Sequence, residues 1–263
     1  MKKLILSFLL LISAFPLLSQ IILPSLHGVH HNKKIPTNGQ VAFFDFSSGE
    51  SGYTLSGATA TSDKNGNANS AIEVDDATDR ITGQFSELLD DDFTVSIWAK
   101  LNSSYPSRKM WLISFGSSST NKAFHLGCRY DNSLNGNYRV GSWNANHATD
   151  DNLGNDTNWK HYIVTYDKSE EEYKFYINKT LTHTQSNHTL TIDATDFVIG
   201  SQLGFNESWY GKIDEFGAWN RILSSQEITD LYNNYYVIIY FKISLVILLI
   251  FFKRIGIEGY PIP

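Results

Sequence analysis

An apolar residue at every second position of the segment 93–101 constrains the fold of this chain more than any other feature. Phe93, Val95 and Ile97 begin the series, and Ala99 and Leu101 complete it. A period of two places these side chains on one face of a β-strand, whereas a helix would need a period near 3.6. The segment therefore predicts a strand with one face in a hydrophobic core.

Nine other segments are also predicted as strands, because β-branched and aromatic residues form short runs between Gly, Asn, Asp and Ser clusters. They are 41–46, 71–74, 110–115, 123–129, 138–142, 161–166, 173–177, 197–199 and 211–219. The polar stretch 167–172 predicts a hairpin between two of them. So many strands at short spacing indicate an all-β fold, either a two-sheet sandwich or a barrel.

One short helix is predicted near the end of this region. Ser224 and Glu227 have the spacing of a capping box, in which each side chain bonds the backbone amide of the other residue. Ile228, Leu231 and Tyr232 follow at the spacing of one helix face. The domain is therefore expected to span 41–234.

Composition excludes several classes of protein. Aromatic residues make up 14% of the 263 residues, which is far too many for a disordered chain. The formal net charge is −6 and no basic cluster is visible, so we expect no nucleic-acid partner. Cys128 is the single cysteine, which excludes an intrachain disulfide and a cysteine-rich zinc site.

The first 20 residues have the layout of a secretory signal peptide. Two lysines precede the apolar run 4–12, and small or polar residues follow near Ser19 and Gln20. An N-terminal membrane anchor is the alternative, but the run is shorter than the roughly 20 residues of a membrane span. We therefore expect a signal at 1–20, a linker at 21–40, and export to the cell surface or the extracellular space.

The segment 235–254 is almost wholly apolar and has two open interpretations. Lys253 and Arg254 follow it as a basic flank, which is typical of a C-terminal membrane span, although Lys242 interrupts the apolar run. The alternative is a frameshift or read-through product, because Ile, Phe, Lys, Tyr and Asn have A/T-rich codons. A short tail, 255–263, ends the chain.

Five segments occur in the order found in one family. They are 39–46, 65–71, 93–98, 159–167 and 211–228. In the last of these an Ile-Asp-Glu strand runs into Asn-Arg and then a capped helix. The chain thereby resembles the laminin-G-like, concanavalin A-like jelly-roll domains of secreted bacterial surface proteins. The resemblance implies an all-β, two-sheet antiparallel jelly-roll sandwich with one short C-terminal helix.

The same resemblance implies a structural calcium ion near the first and last strands. Asp214 is then the best side-chain ligand and Asp45 a neighbour, with Asp75, Asp76 and Asp79 as outside candidates. The loop 47–52 departs from the family, in which an Asn-, Asp- and Gly-rich loop at this place often helps to hold the calcium ion. The alternative is that Asp214 only hydrogen-bonds backbone at the sheet edge.

Two clusters of aromatic and amide residues are candidates for sugar binding, which uses an aromatic face and a few polar groups. We expect both clusters in loops. The first is Tyr138, Trp143, Asn144, Asn146, His147, Asp150 and Asp151, and the second is Asn206, Trp209 and Tyr210. The alternative is that Trp143 and Trp209 pack at the edges of the core.

No pattern for catalysis is visible. Glucanases of this fold carry a Glu-x-Asp-x-x-Glu motif, which is absent here, and Asp214 and Glu215 are expected on opposite faces of their strand. We therefore expect a non-catalytic extracellular module that binds a glycan or a cell-surface protein. The alternatives are a ligand-free structural spacer and a glycosidase or lyase with an unrecognised site.

Overall fold

Alternating strands of this kind bury their apolar faces by stacking two sheets, and the computed structural model has this arrangement. It describes residues 35–47, 49–102, 109–129, 137–142, 145–152, 157–204 and 207–233. For Arg129 and for 145–152 only the backbone is described. All statements below concern these residues.

The described residues form fifteen strands and one helix. In chain order they are β1 (Gln40–Phe44), β2 (Tyr53–Ser56), β3 (Thr59–Thr61), β4 (Ala71–Val74), β5 (Arg80–Gln84), β6 (Phe93–Leu101), β7 (Lys109–Gly116), β8 (Ala123–Arg129), β9 (Asn137–Ser142), β10 (Ala145–Asn152), β11 (Lys160–Asp167), β12 (Glu172–Ile177), β13 (Thr180–Gln185), β14 (Asp196–Ile199), β15 (Gly211–Trp219) and α1 (Ser225–Asn233).

The strands make two antiparallel sheets, which confirms the jelly-roll sandwich. The eight-stranded sheet has the order β13-β12-β11-β6-β15-β4-β3, and β1 also pairs with β15. The seven-stranded sheet has the order β10-β9-β8-β7-β14-β5-β2. β6 and β15 are neighbours in one sheet, although strands between them in sequence, such as β7 and β8, belong to the other sheet. The chain therefore crosses between the two layers rather than forming hairpins alone.

All ten predicted strands are present, with ends that differ by at most two residues from the prediction. The five strands that the sequence did not predict are β2, β3, β5, β10 and β13. Four of these form the ends of the two sheets, where neither face needs a continuous apolar series. The expectation of a loop at 145–152 was wrong, because this polar segment pairs along β9 as an edge strand.

Aromatic rings fill the space between the sheets. Phe85 lies 5.0 Å from Phe197 and contacts Phe115 edge-on at 5.4 Å between ring centroids. Phe93 contacts Phe115 and Phe124 in the same edge-on geometry, which suits the quadrupoles of the rings. These contacts come from both sheets, so one continuous core joins them.

The first and last strands lie side by side, as expected. Phe44 of β1 is opposite Phe216 of β15, and both side chains are buried in the core. The segment before β1 is fixed to the same sheet, because the indole N–H of Trp219 donates to the carbonyl of Pro36 at 2.7 Å. β15, the last strand, therefore fixes both β1 and the segment that precedes it.

Helix α1 packs on the outer face of the eight-stranded sheet. Ile228 and Leu231 contact Trp219 and Ile163 in a small second core. The predicted capping box is present: the amide of Glu227 donates to Ser224 Oγ at 3.3 Å, and the amide of Ser224 donates to Glu227 Oε2 at 2.8 Å. Local capping and burial of one face thus both determine where this helix begins.

The predicted signal at 1–20, most of the linker and the apolar tail 235–254 lie outside the described residues. Within the described part of the chain, no helix combines the length and the apolar character that a membrane crossing requires.

Replacing the capping hydroxyl tests this account of the helix start. We expect Ser224→Ala to lower the free energy of unfolding by about 1 kcal/mol, because the Glu227 amide loses its acceptor. Ser225→Ala, one position later, keeps the cap and serves as the control. Urea denaturation measures both, and an equal effect of the two substitutions would contradict a capping role for Ser224.

Candidate functional site

Exposure separates the tryptophans that can meet a ligand from those that build the core. Trp98, Trp111, Trp209 and Trp219 are 8%, 2%, 1% and 0% exposed. Trp159 is the one tryptophan in the described part of the chain that is partly exposed. A platform for stacking against a ligand is therefore available at Trp159 and not at the other four.

Trp159 lies at the end of the eight-stranded sheet, one residue before β11. Lys160 pairs with Ala99, so Trp159 stands beside Lys100 on the neighbouring strand β6. Lys100 Nζ is 5.9 Å from the centroid of the Trp159 ring, within the range of a cation–π contact. Lys100 points to the outer face, because Ala99 and Leu101 on either side are buried in the core.

A carboxylate and an amide continue this surface across the next two strands. Lys212 of β15 is directly opposite Lys100, and Glu73 of β4 is directly opposite Lys212. Lys212 Nζ lies 3.7 Å from Glu73 Oε2, and Asn102 Nδ2 donates to Glu73 Oε1 at 3.2 Å. All of these side chains are partly exposed. We call Glu73, Lys100, Asn102, Trp159 and Lys212 the sheet-end patch.

Buried tryptophans hold the backbone behind the sheet-end patch. The indole N–H of Trp209 donates to the carbonyl of Lys100 at 3.2 Å, and the amide of Asn102 donates to the carbonyl of Tyr210 at 3.0 Å. On the other sheet, the indole N–H of Trp111 donates to Glu207 Oε2 at 2.7 Å. The segment before β15 is thus anchored to both sheets, which keeps the patch rigid.

Among the predicted sugar contacts, two side chains belong to the core. Tyr138 is 3% exposed and its hydroxyl lies 3.1 Å from that of Tyr162, while Trp209 packs among core residues. For Trp209 this is the packing role stated as its alternative. Tyr210 is partly exposed and lies next to Asn102. Of the nominated side chains that the structure describes, Tyr210 is the one near the sheet-end patch.

The remaining predicted contacts are described in part or not at all. Trp143, Asn144 and Asn206 lie outside the described residues. Asn146, His147, Asp150 and Asp151 form part of β10, for which the backbone alone is described.

Sequence reasoning missed Trp159 because the residue adjoins a strongly apolar strand. Trp159 precedes a segment in which Tyr162, Val164 and Tyr166 all enter the core. Trp159 lies two residues before His161, so strand alternation places both side chains on the outer face of the sheet. That alternation is the signal that was available in the sequence, although it does not say whether another element covers the ring.

A second group of charged residues lies further along the same outer face. Lys64 Nζ donates a hydrogen bond to Glu215 Oε1 and lies 3.5 Å from Asp214 Oδ2. The side chains of Lys64, Asp214 and Glu215 are 8%, 2% and 8% exposed. Lys64 Nζ also sits 5.1 Å from the centroid of the Trp98 ring. We call Lys64, Asp214 and Glu215 the ion cluster.

The expectation that Asp214 and Glu215 point to opposite faces was wrong. Asp214 is opposite Trp98 and Gly217 is opposite Ser96, so β15 holds one extra residue against β6. Such a β-bulge breaks the period of two. Glu215 adopts a left-handed backbone with φ of 47°, which turns its carboxylate to the side of Asp214.

Three of the other predicted calcium ligands, Asp45, Asp76 and Asp79, accept hydrogen bonds from nearby backbone amides. Asp45 Oδ1 accepts from the amide of Ser47 at 3.0 Å, and the carboxylate of Glu50 accepts from the amides of Asp45 and Phe46. Asp79 Oδ2 accepts from the amides of Asp75 and Asp76, each at 3.1 Å. Within the described residues, no three His, Cys, Asp or Glu side chains are grouped to hold a metal ion.

Two buried histidines each bond a serine hydroxyl on the outer faces of the sheets. His161 Nε2 lies 2.7 Å from Ser96 Oγ, and its ring stacks on Trp98 at 4.9 Å. His125 Nδ1 lies 2.7 Å from Ser114 Oγ. Burial lowers the pKa of His161 to about 3 and the pKa of His125 to about 4. Both rings are therefore neutral near pH 7 and have structural roles.

These low pKa values predict a loss of stability in mild acid. The unfolded chain binds protons to both histidines below about pH 6.5, while the folded protein does not until about pH 4 and pH 3. The free energy of unfolding should therefore be fully retained above pH 6.5. Below that pH it should fall by about 1.4 kcal/mol per pH unit for each histidine.

Urea denaturation at pH 7 and pH 5 measures this loss. His161→Gln should remove about half of the difference between the two pH values, because His125 accounts for a similar share. A pH dependence that is the same in His161→Gln and in the unmodified protein would contradict the assignment.

Comparisons with known proteins agree with this architecture. The sequence profile of the laminin-G-like family described as the concanavalin A-like lectin/glucanases superfamily matches residues 65–229, more than half of the chain. A search of curated protein sequences gives no match.

Solved structures share the fold at low sequence identity. The receptor-binding domain of botulinum neurotoxin D aligns with a TM-score of 0.58 and 14% identity, over 74% of this chain and 52% of the toxin domain. The serotype D domain in complex with N-acetylneuraminic acid aligns at 0.54 and 15%, over 74% and 50%. Trypanosoma rangeli sialidase with the inhibitor DANA aligns at 0.57 and 16%, over 75% and 33%.

The chain thus spans about half of the toxin domains and a third of the sialidase. At these identities the likeness concerns the fold, whereas the profile match concerns the sequence itself and confirms the resemblance drawn from the motifs. By the profile match, the chain belongs to the concanavalin A-like lectin/glucanases superfamily, as a laminin-G-like jelly-roll domain.

Proposed function

We propose that this domain is a non-catalytic carbohydrate-binding module and that the sheet-end patch is its binding surface. The observation that carries the proposal is the exposure of Trp159. Four of the five described tryptophans are buried, and the fifth lies on the outer face of a sheet among polar side chains.

The chemistry of the patch suits a saccharide. A sugar ring presents an apolar face of C–H groups that packs on an aromatic ring, while its hydroxyls need donors and acceptors at the rim. Trp159 supplies the ring, Lys100 and Asn102 supply donors, and Glu73 supplies an acceptor. Because Lys100, Lys212 and Glu73 stand on neighbouring strands, their spacing is set by the sheet and little ordering is needed on binding.

The structural neighbours support a glycan rather than another kind of ligand. One neighbouring toxin domain was solved with N-acetylneuraminic acid, and the sialidase was solved with the inhibitor DANA and with 2,3-difluorosialic acid. These ligands belong to those proteins, and each of those chains is much longer than the aligned region. They support the choice of saccharides as the first compounds to test.

The ion cluster favours a non-catalytic role. A retaining glycosidase needs two carboxylates about 5–5.5 Å apart that flank the bond to be cleaved. Asp214 and Glu215 are the paired carboxylates of this sheet, but both are buried and both contact the ammonium of Lys64. They therefore lack the open approach that a sugar chain would require.

We also propose that the module works outside the cell, on a glycan or a glycosylated surface protein. The charged and then apolar pattern of residues 1–20 supports export.

A glycan array followed by calorimetry tests the proposal on the full-length protein. We expect binding to at least one glycan class, and Trp159→Ala should weaken it about tenfold or more, since a factor of ten is about 1.4 kcal/mol. Trp159→Phe keeps an aromatic face and should keep most of the affinity. The melting temperature of both variants should stay close to that of the unmodified protein, because the ring is partly exposed.

Trp219→Ala is the matched control, because Trp219 pairs with Thr94 at the other end of β6 from Lys100. It removes a buried ring and should destabilise the fold by about 3–5 kcal/mol without a specific effect on the remaining folded protein's affinity. No binding across neutral and acidic glycans would favour the ligand-free spacer. Release of reducing ends or unsaturated products from a bound glycan would favour the enzyme alternative.

A further inference from the structure

The ion cluster occupies the place where the sequence predicted calcium. Asp214 lies on the last strand, at the point where its pairing changes from β4 to β1: Ile213 pairs with β4 and Phe216 pairs with β1. The bulge at Asp214 and Glu215 falls in this interval, so both carboxylates project from the sheet together. Two adjacent buried carboxylates need a cation, because an isolated buried charge is strongly unfavourable.

A side chain of the domain itself supplies that cation. Lys64 Nζ contacts both carboxylates and also faces the ring of Trp98 at 5.1 Å, so an anionic side and an aromatic face surround the ammonium. The side chain of Lys64 is 8% exposed, which is unusual for lysine outside a paired environment.

The loop that carries Lys64 is built to hold it in place. Asp63 Oδ1 accepts from the amides of Asn65 and Asn67, each at 2.8 Å, and Asn67 Nδ2 donates to Asp63 Oδ2 at 2.8 Å. The amide of Ser70 donates to the carbonyl of Thr61, which closes the base of the loop. Lys64 therefore enters the cluster from a short, internally bonded turn rather than from a free surface segment.

The donor set does not fit a calcium ion alongside this ammonium. Calcium takes about six to eight oxygen ligands, so two carboxylates could hold it only together with several waters, and the ammonium of Lys64 fills the space that the ion and its waters would need. Asp45, the second ligand that the sequence suggested, binds the amide of Ser47 instead. A divalent ion at the same carboxylates would also be repelled by the neighbouring ammonium.

We propose that the ammonium of Lys64 is the resident cation of the ion cluster and takes the place of a metal ion at Asp214. The last strand, the loop 62–69 and the outer sheet face are then joined without calcium. The domain keeps its fold whether calcium is present or chelated, and Asp214 and Glu215 become accessible to a metal only when Lys64 is removed. This inference is independent of the proposed glycan binding.

Terbium luminescence tests the proposal directly, since Trp98 lies close enough to the ion cluster to sensitise a bound Tb³⁺. Any terbium signal of the unmodified full-length protein should be unchanged in Asp214→Asn. The melting temperature of the unmodified protein should be equal in calcium and in chelator. Lys64→Ala should gain a terbium signal that disappears in Lys64→Ala/Asp214→Asn. An Asp214-dependent signal in the unmodified protein, or none in Lys64→Ala, overturns the proposal.

Stability measurements give a second, independent readout. Lys64→Met keeps the aliphatic stem but removes the charge, and it should lower the melting temperature by about 6–20 °C, as expected for breaking a buried ion pair in a domain of this size. Lys64→Arg keeps a cation and should lose less. Calcium should raise the melting temperature of Lys64→Ala but not that of Lys64→Ala/Asp214→Asn. Equal melting temperatures of Lys64→Met and the unmodified protein would overturn the role of Lys64 as a counter-ion.

Discussion

The pairing of β15 is the constraint on which the rest of the domain depends. This strand is hydrogen-bonded to β6 along one side, and to β4 and then β1 along the other. It contributes Ile213, Phe216 and Ala218 to the core, while Trp219 on its outer face anchors both α1 and the segment before β1. The chain termini of the sandwich, its core and its outer helix therefore meet on a single strand. Long-range pairing of this kind is slow to form and cooperative once formed.

The change of partner along β15 has a local cost, and the ion cluster follows from it. One extra residue is accommodated by placing Glu215 in the left-handed region, where a side chain other than glycine is strained by about 1–3 kcal/mol. The bulge also brings two carboxylates to one side. Lys64 offsets that charge and binds its own loop to the strand. The strained backbone at Glu215 therefore makes possible an ion pair between two parts of the chain that are distant in sequence.

Much of the fold could be predicted from local pattern, while the site depends on contacts that local pattern does not contain. β6 and β15 were predicted at their observed ends, and for β6 the reason is that apolar side chains alternate over its whole length. The edge strand β10 was not, since polar residues such as those of 145–152 look the same in a loop. Trp159 and Trp209 cannot be distinguished by their neighbours in sequence, because what covers each ring comes from another strand. The bulge at Glu215 could not be predicted for the same reason, because it lies where the neighbouring strand of β15 changes from β4 to β1.

The polar edges of the two sheets have a consequence for behaviour at high local concentration. The edge strands β3 and β10 consist of small and polar residues, with no large aliphatic or aromatic side chain. The edge strands β2 and β13 each carry one exposed leucine, Leu55 and Leu181. An open strand edge always offers backbone groups to another molecule, but recruitment of a foreign strand is stabilised by apolar side chains on both partners. A single exposed leucine on each of two edges gives a foreign strand little apolar surface to pack against, so backbone pairing between copies of this domain is weakly stabilised.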